Sequence, residues 1–128
     1  MNDTTTATDN IATDETDRLI ASNKVEGTAV YNRNEEKLGT IYNFMVDKRS
    51  GTVEYAVLQF GGIFGLGSDY YPLPWEKLTY DTDQGGYVVD IDRDLLEAAP
   101  RYSQDQEPQY DREYNERVYG YYGLNYPA

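Results

Sequence analysis

Thr52–Trp75, TVEYAVLQFGGIFGLGSDYYPLPW, decides the reading of this 128-residue chain. From Thr52 to Phe60, Val53, Tyr55 and Val57 alternate with Ala56, Leu58 and Phe60, so both faces of a strand would be apolar. A strand of that kind sits centrally, with a core on one side and a cover on the other. Gly61–Gly67 then form a glycine-rich hairpin turn with an apolar tip at Ile63, Phe64 and Leu66. A shorter strand, Tyr70–Leu73, is read as ending at Pro72 and Pro74, because proline cannot donate into a central ladder.

Working upstream, Lys37–Asp47 places Leu38, Tyr42, Phe44 and Val46 on one face, with Ile41 and Met45 opposite. Asp47–Gly51 joins it to Thr52–Phe60 as a hairpin. Thr28–Asn32 is a further strand, followed by a polar turn and preceded by a single helical turn at Ser22–Val25. Downstream, Leu78–Tyr80 and Tyr87–Ile91 flank the turn Asp81–Gly86. The expected fold is mainly β: a small barrel of five or six short antiparallel strands. Asp92 then caps a short helix whose apolar face is Leu95, Leu96 and Ala99, stopped by Pro100.

The ends differ in composition from this middle. Residues 1–17 are mostly Thr, Asp, Asn, Ala and Glu, too polar to offset their ordering entropy, and are expected to be disordered. The barrel domain is expected over 18–100, and residues 101–128 form an extension holding half of the 14 tyrosines. In it Tyr110, Tyr114, Val118 and Tyr121 fall on one face of a C-terminal helix, frayed by Gly120 and Gly123. Such a segment either wraps the barrel and covers its second apolar face or serves as an arm for a partner.

Composition excludes several chemistries. Eleven Lys and Arg against 23 Asp and Glu give 11 − 23 = −12, which repels a phosphate backbone. With no Cys and no His, thiolate chemistry, imidazole bases and the commonest metal ligand are absent. Gly61–Gly67 lacks the Lys-Ser/Thr of a phosphate loop and precedes a strand, not a helix. Asp81, Asp83, Asp90, Asp92 and Asp94 lack calcium-loop spacing, and turn formation and capping account for them. Glu26, Glu36 and Glu54 form no evident acid/base pair, and Trp75 reads as a core plug. No catalytic residues, metal ligands or cofactors are expected. No run reaches the ~20 apolar residues needed to span a bilayer, and the N-terminus has no signal-peptide pattern, so no membrane insertion and a cytoplasmic location are expected.

With the strands placed, the chain resembles the PRC-barrel family, the small barrels of the photosynthetic reaction centre H subunit and of ribosome-maturation factors. The resemblance rests on Val25–Tyr31, Glu36–Ile41, Val46–Gly51, Tyr55–Leu58, Phe60–Gly62 and Pro72–Trp75, and covers roughly Leu19–Pro100. It is strongest to short stand-alone bacterial members, and it implies a barrel that docks on protein. The expected function is therefore a non-enzymatic protein–protein interaction module, associating with itself as a dimer or docking on another protein, with no nucleic acid. The contacts expected are Ile63, Phe64 and Leu66 at the tip and Tyr114, Val118 and Tyr121 in the extension. The alternative is a small-molecule or divalent-ion binder at the barrel mouth.

Overall fold

The computed structural model describes residues 19–60 and 69–127. Ile63, Phe64 and Leu66, like the segment 1–17, lie outside the described residues. The elements in chain order are α1 (Ser22–Val25), β1 (Ala29–Tyr31), β2 (Lys37–Val46), β3 (Val53–Phe60), β4 (Asp69–Pro74), β5 (Leu78–Asp81), β6 (Gly86–Val89), α2 (Arg93–Glu97), β7 (Tyr102–Ser103) and α3 (Arg112–Tyr121). The strands form one sheet in the order β5-β6-β1-β2-β3-β4-β7.

One pair departs from the antiparallel expectation: β1 and β6 run parallel, with Val30 opposite Tyr87. Because β5 is antiparallel to β6 and β2–β4 form a meander from β1, β4 and β5 run in the same sense. Their join is accordingly a 3₁₀ turn at Trp75–Lys77, not a hairpin. The Trp75 ring lies 6.2 Å from Phe44 of β2 and 5.6 Å from Tyr87 of β6. Half-buried, it packs against the core between these two rings.

Turn chemistry follows the sequence closely. The Asp47 carboxylate accepts from the backbone N–H of Arg49 and Ser50 at 2.8 and 3.0 Å, and Gly51 takes φ 78°. Those bonds hold the Asp47 carboxyl below its usual range. Asp92 caps α2 by accepting from the Leu95 N–H. Close strand approach fixes Gly39, where an added Cβ would overlap the Gln59 carbonyl oxygen of β3.

Three local expectations are corrected. Tyr42 is the extra residue of a bulge, since Ile41 pairs with Leu58 and Asn43 with Val57. A second bulge, at Leu38 against β1, lets Leu38 and Ile41 both be buried although three residues apart, while Tyr42 and Val46 are exposed. Next, β4 continues through both prolines, with Pro72 opposite Val57 and Pro74 opposite Tyr55. It can do so because β7 pairs only with Asp69 and Tyr70, leaving the rest of β4 with one paired edge. Finally, Leu96 and Ala99 of the α2 region are buried but Leu95 is exposed.

The core joins Leu38, Ile41, Ala56, Leu58, Leu73 and Val89 to Leu96 and to Val118 of α3. Each fully buried Leu or Ile contributes roughly 1.5–3 kcal/mol of transfer free energy.

Candidate protein-docking face

Tyr55, Ala56, Val57 and Leu58 are all buried to within 1% exposure, so β3 is covered on both faces. Strand register divides those faces. Ile41, Ala56, Leu58, Tyr71 and Leu73 share the inner one with Phe44, whose ring meets Trp75. Asn43, Met45, Tyr55, Val57 and Tyr70 share the outer one. Met45 and Asn43 are half-buried there and Tyr70 is buried. What covers this outer face is the C-terminal segment from β7 to Tyr126.

The segment is built to lie there. Asp111 caps α3 by accepting from the Tyr114 N–H at 2.9 Å. Gly123, at φ 78°, closes it: its N–H reaches the Gly120 carbonyl and the Leu124 N–H reaches Tyr119. That pair of bonds is a Schellman motif, so Gly123 terminates the helix cleanly and Gly120 lies within it. The buried stripe is Tyr114, Asn115, Val118, Tyr119 and Tyr122.

Polar contacts fix the docking. The Tyr55 hydroxyl donates to Asn115 Oδ1 at 2.7 Å, and Asn115 Nδ2 donates to the Tyr110 carbonyl at 3.1 Å. Glu54 takes two more bonds: its carbonyl accepts from Tyr119 at 3.0 Å and its Oε1 from Tyr126 at 3.0 Å. Tyr121 donates to the Leu95 carbonyl, tying α3 to α2. Aromatic packing adds area: the Tyr55 ring lies 5.4 Å from both Tyr110 and Tyr119, and Tyr70 stacks on Tyr102 at 5.5 Å. Burial, ahead of neighbouring charges, pushes the Tyr114 and Tyr119 phenols up to about 12 and raises Tyr55 and Tyr110 further.

Of the expected contact residues, Tyr114 and Val118 face the barrel at 9% and 0% exposure, and Tyr121 is half-buried against α2. The structure brings these three together on one helix but turns them inward. Tyr122, not Tyr121, completes the buried stripe, and Asn115 is a site residue that sequence reading passed over. Its signal was the spacing: Asn115 stands one residue after Tyr114 and four before Tyr119, on the apolar stripe. Beside the segment, an open cleft of about 400 Å³ lies against the β2–β3 hairpin, lined by Met45, Lys48, Glu54, Tyr55 and Tyr126 among others. Among the described residues, no group of three or more carboxylates is arranged to hold a metal ion, and no helix is long and apolar enough to cross a membrane.

Fold and face together define a small β-barrel domain with a helical clasp over its outer sheet surface. The chain belongs to the PRC-barrel domain family, whose match runs over residues 17–96 and stops short of the clasp. Among solved structures it is similar to a putative 16S ribosomal RNA processing protein, RimM, from Pseudomonas aeruginosa. That similarity is 22% in sequence with a TM-score of 0.40, over 66% of this chain and 50% of that one. No curated protein matches the chain.

Proposed function

We propose that this chain is a non-enzymatic protein-docking module whose outer sheet face, on β2–β4, receives an amphipathic helix. In this chain α3 fills that face in cis, and a partner protein reaches it by supplying a helix of similar chemistry. The observation that carries the reading is the burial of Tyr55 on the outer face, where Asn115 and Tyr119 of α3 meet it. A barrel that filled only its interior would leave that side chain in solvent. The formal charge of −12 favours protein over nucleic acid as the direct partner. An arrangement of tyrosines and one amide with no imidazole, thiol or clustered carboxylates supports binding rather than catalysis.

The test is to loosen α3 and supply a helix in trans. Val118→Asp places a charge at a fully buried position and should undock α3 while the barrel keeps its β circular dichroism. The loosened chain should then bind a labelled synthetic peptide spanning residues 107–127, read by fluorescence polarisation, and the unaltered chain should bind it far more weakly. If Val118→Asp unfolds the barrel, Asn115→Ala serves as the milder release. A folded, loosened chain that ignores the peptide overturns the reading.

A further inference from the structure

We propose that Tyr126 is a redox-active residue, giving up one electron to a diffusible oxidant while its phenolic proton passes to the Glu54 carboxylate. Such a role goes beyond docking and needs no partner protein. The chain has no thiol and one indole, so its 14 phenols are its main one-electron donors.

Loss of an electron turns a phenol into a strong acid, so the electron leaves readily only where a base stands ready for the proton. Among the described residues, Tyr126 is the one phenol that donates to a carboxylate, reaching Glu54 Oε1 at 3.0 Å. That separation allows direct proton transfer. The Tyr55 hydroxyl meets an amide oxygen, and those of Tyr119 and Tyr121 meet backbone carbonyls, all too weakly basic to keep a proton. The hydroxyls of Tyr110 and Tyr114 are buried and meet no carboxylate. Tyr42 and Tyr80 are exposed at 43% and 50%, and their protons have only water, a far weaker base, to go to.

Two further features suit the pair to this role. Tyr126 ends a run of touching rings: Tyr114 lies 5.3 Å from Tyr110, Tyr110 and Tyr119 each lie 5.4 Å from Tyr55, and Tyr119 lies 5.0 Å from Tyr126. An electron lost elsewhere in that run is replaced from neighbour to neighbour until the vacancy reaches the ring that can shed its proton. Tyr126 and Glu54 also line the open cleft beside the β2–β3 hairpin, within touch of a small oxidant. Lys48 and Arg49 line it too, so an anionic oxidant meets local cations on a chain whose overall charge repels it.

The step converts the Tyr126 phenol, the Glu54 carboxylate and the oxidant into a neutral phenoxyl radical, a protonated Glu54 and the oxidant reduced by one electron. A small one-electron reductant such as ascorbate reverses it, supplying the electron while the proton returns from Glu54.

The test mixes the full chain with hexachloroiridate(IV), an anionic outer-sphere oxidant that loses its colour on reduction, and freeze-quenches it for electron paramagnetic resonance. A neutral tyrosyl signal should appear, vanish with ascorbate and be missing from Tyr126→Phe. Glu54→Gln keeps the side-chain length and still accepts from Tyr126, but cannot hold the proton. It should slow the loss of colour by roughly 10²-fold, the low end of what a positioned proton acceptor supplies. The unaltered chain should react more slowly in D2O than in water, an effect that Glu54→Gln should lose. An undiminished signal in Tyr126→Phe places the radical on another ring and overturns the proposal. An equal rate in D2O, or an unchanged rate in Glu54→Gln, also overturns it. Circular dichroism checks that both variants fold. Should either unfold, Tyr42→Phe with Tyr80→Phe serves instead: a retained signal supports Tyr126, and a lost one overturns it.

Discussion

The Tyr55 hydroxyl on β3 and the Asn115 carboxamide on α3 form a buried hydrogen bond of 2.7 Å across sixty residues of sequence. Neither group is a usual choice for a core, and each is there because the other is. Removing one leaves a polar atom that water does not reach.

Tyr55→Phe therefore strands Asn115 Oδ1 and should destabilise the fold by about 1–3 kcal/mol. For a domain of this size that corresponds to a fall in melting temperature of roughly 4–8 °C per kcal/mol. Asn115→Leu alone should cost a similar amount, and the double variant less than the sum. A double-mutant cycle by thermal unfolding checks this, and additive losses would mean that the two groups act independently.

Alkaline pH should open the clasp. The phenols of Tyr114 and Tyr119 are held near 12, above the ordinary value of 10. A pKa raised in the folded state means that the native form keeps protons the unfolded form has lost. The stability from burying these neutral phenols is thus complete below about pH 10 and falls as pH rises toward 12. Phenolate absorbance against pH should show the clasp tyrosines titrating late and together with loss of α3 helicity.

Gly39→Val should be the most damaging single change on the barrel. Any Cβ there meets the Gln59 carbonyl, and neither strand can move away without breaking its ladder. A loss above ~4 kcal/mol, or no soluble folded protein, is the expected outcome in a chemical denaturation series.

Arg93→Ala should do little by comparison. The guanidinium pairs with Glu36 at 2.6 Å, donates to the Lys37 carbonyl and lies over the Phe60 ring. Both charged side chains are more than a third exposed, so the change should leave the midpoint of unfolding almost unmoved. The pair chiefly sets the Glu36 carboxyl below its usual range, with Arg93 the larger cause and Asn32 the second. A carboxyl titration followed by NMR should show Glu36 returning upward in the variant.

Much of the barrel was legible because period-two patterning and turn residues act locally. The strand Val53–Phe60, the hairpin closed by Gly51 and the cap at Asp92 each lie within a few residues of the signal that announces them. The bulge at Tyr42 was not legible, since it is defined by register against β3 and leaves no mark within β2. Nor was β7, whose two residues become a strand only because β4 offers them an edge. For the docking face, the tyrosine stripe foretold a helix with one apolar side. Which way that side turned depended on an outer sheet surface that only the assembled fold creates.

The parallel pairing of β1 with β6 has a kinetic side. Val30 finds Tyr87 across 87 − 30 = 57 residues, whereas β2, β3 and β4 meet through neighbouring turns. During synthesis the first strand must wait, with one edge unmatched, until nearly the whole barrel sequence has left the ribosome. Joining the oldest strand to the newest is then the slow, entropy-limited step, and the C-terminal helix can settle only on a sheet that has already formed.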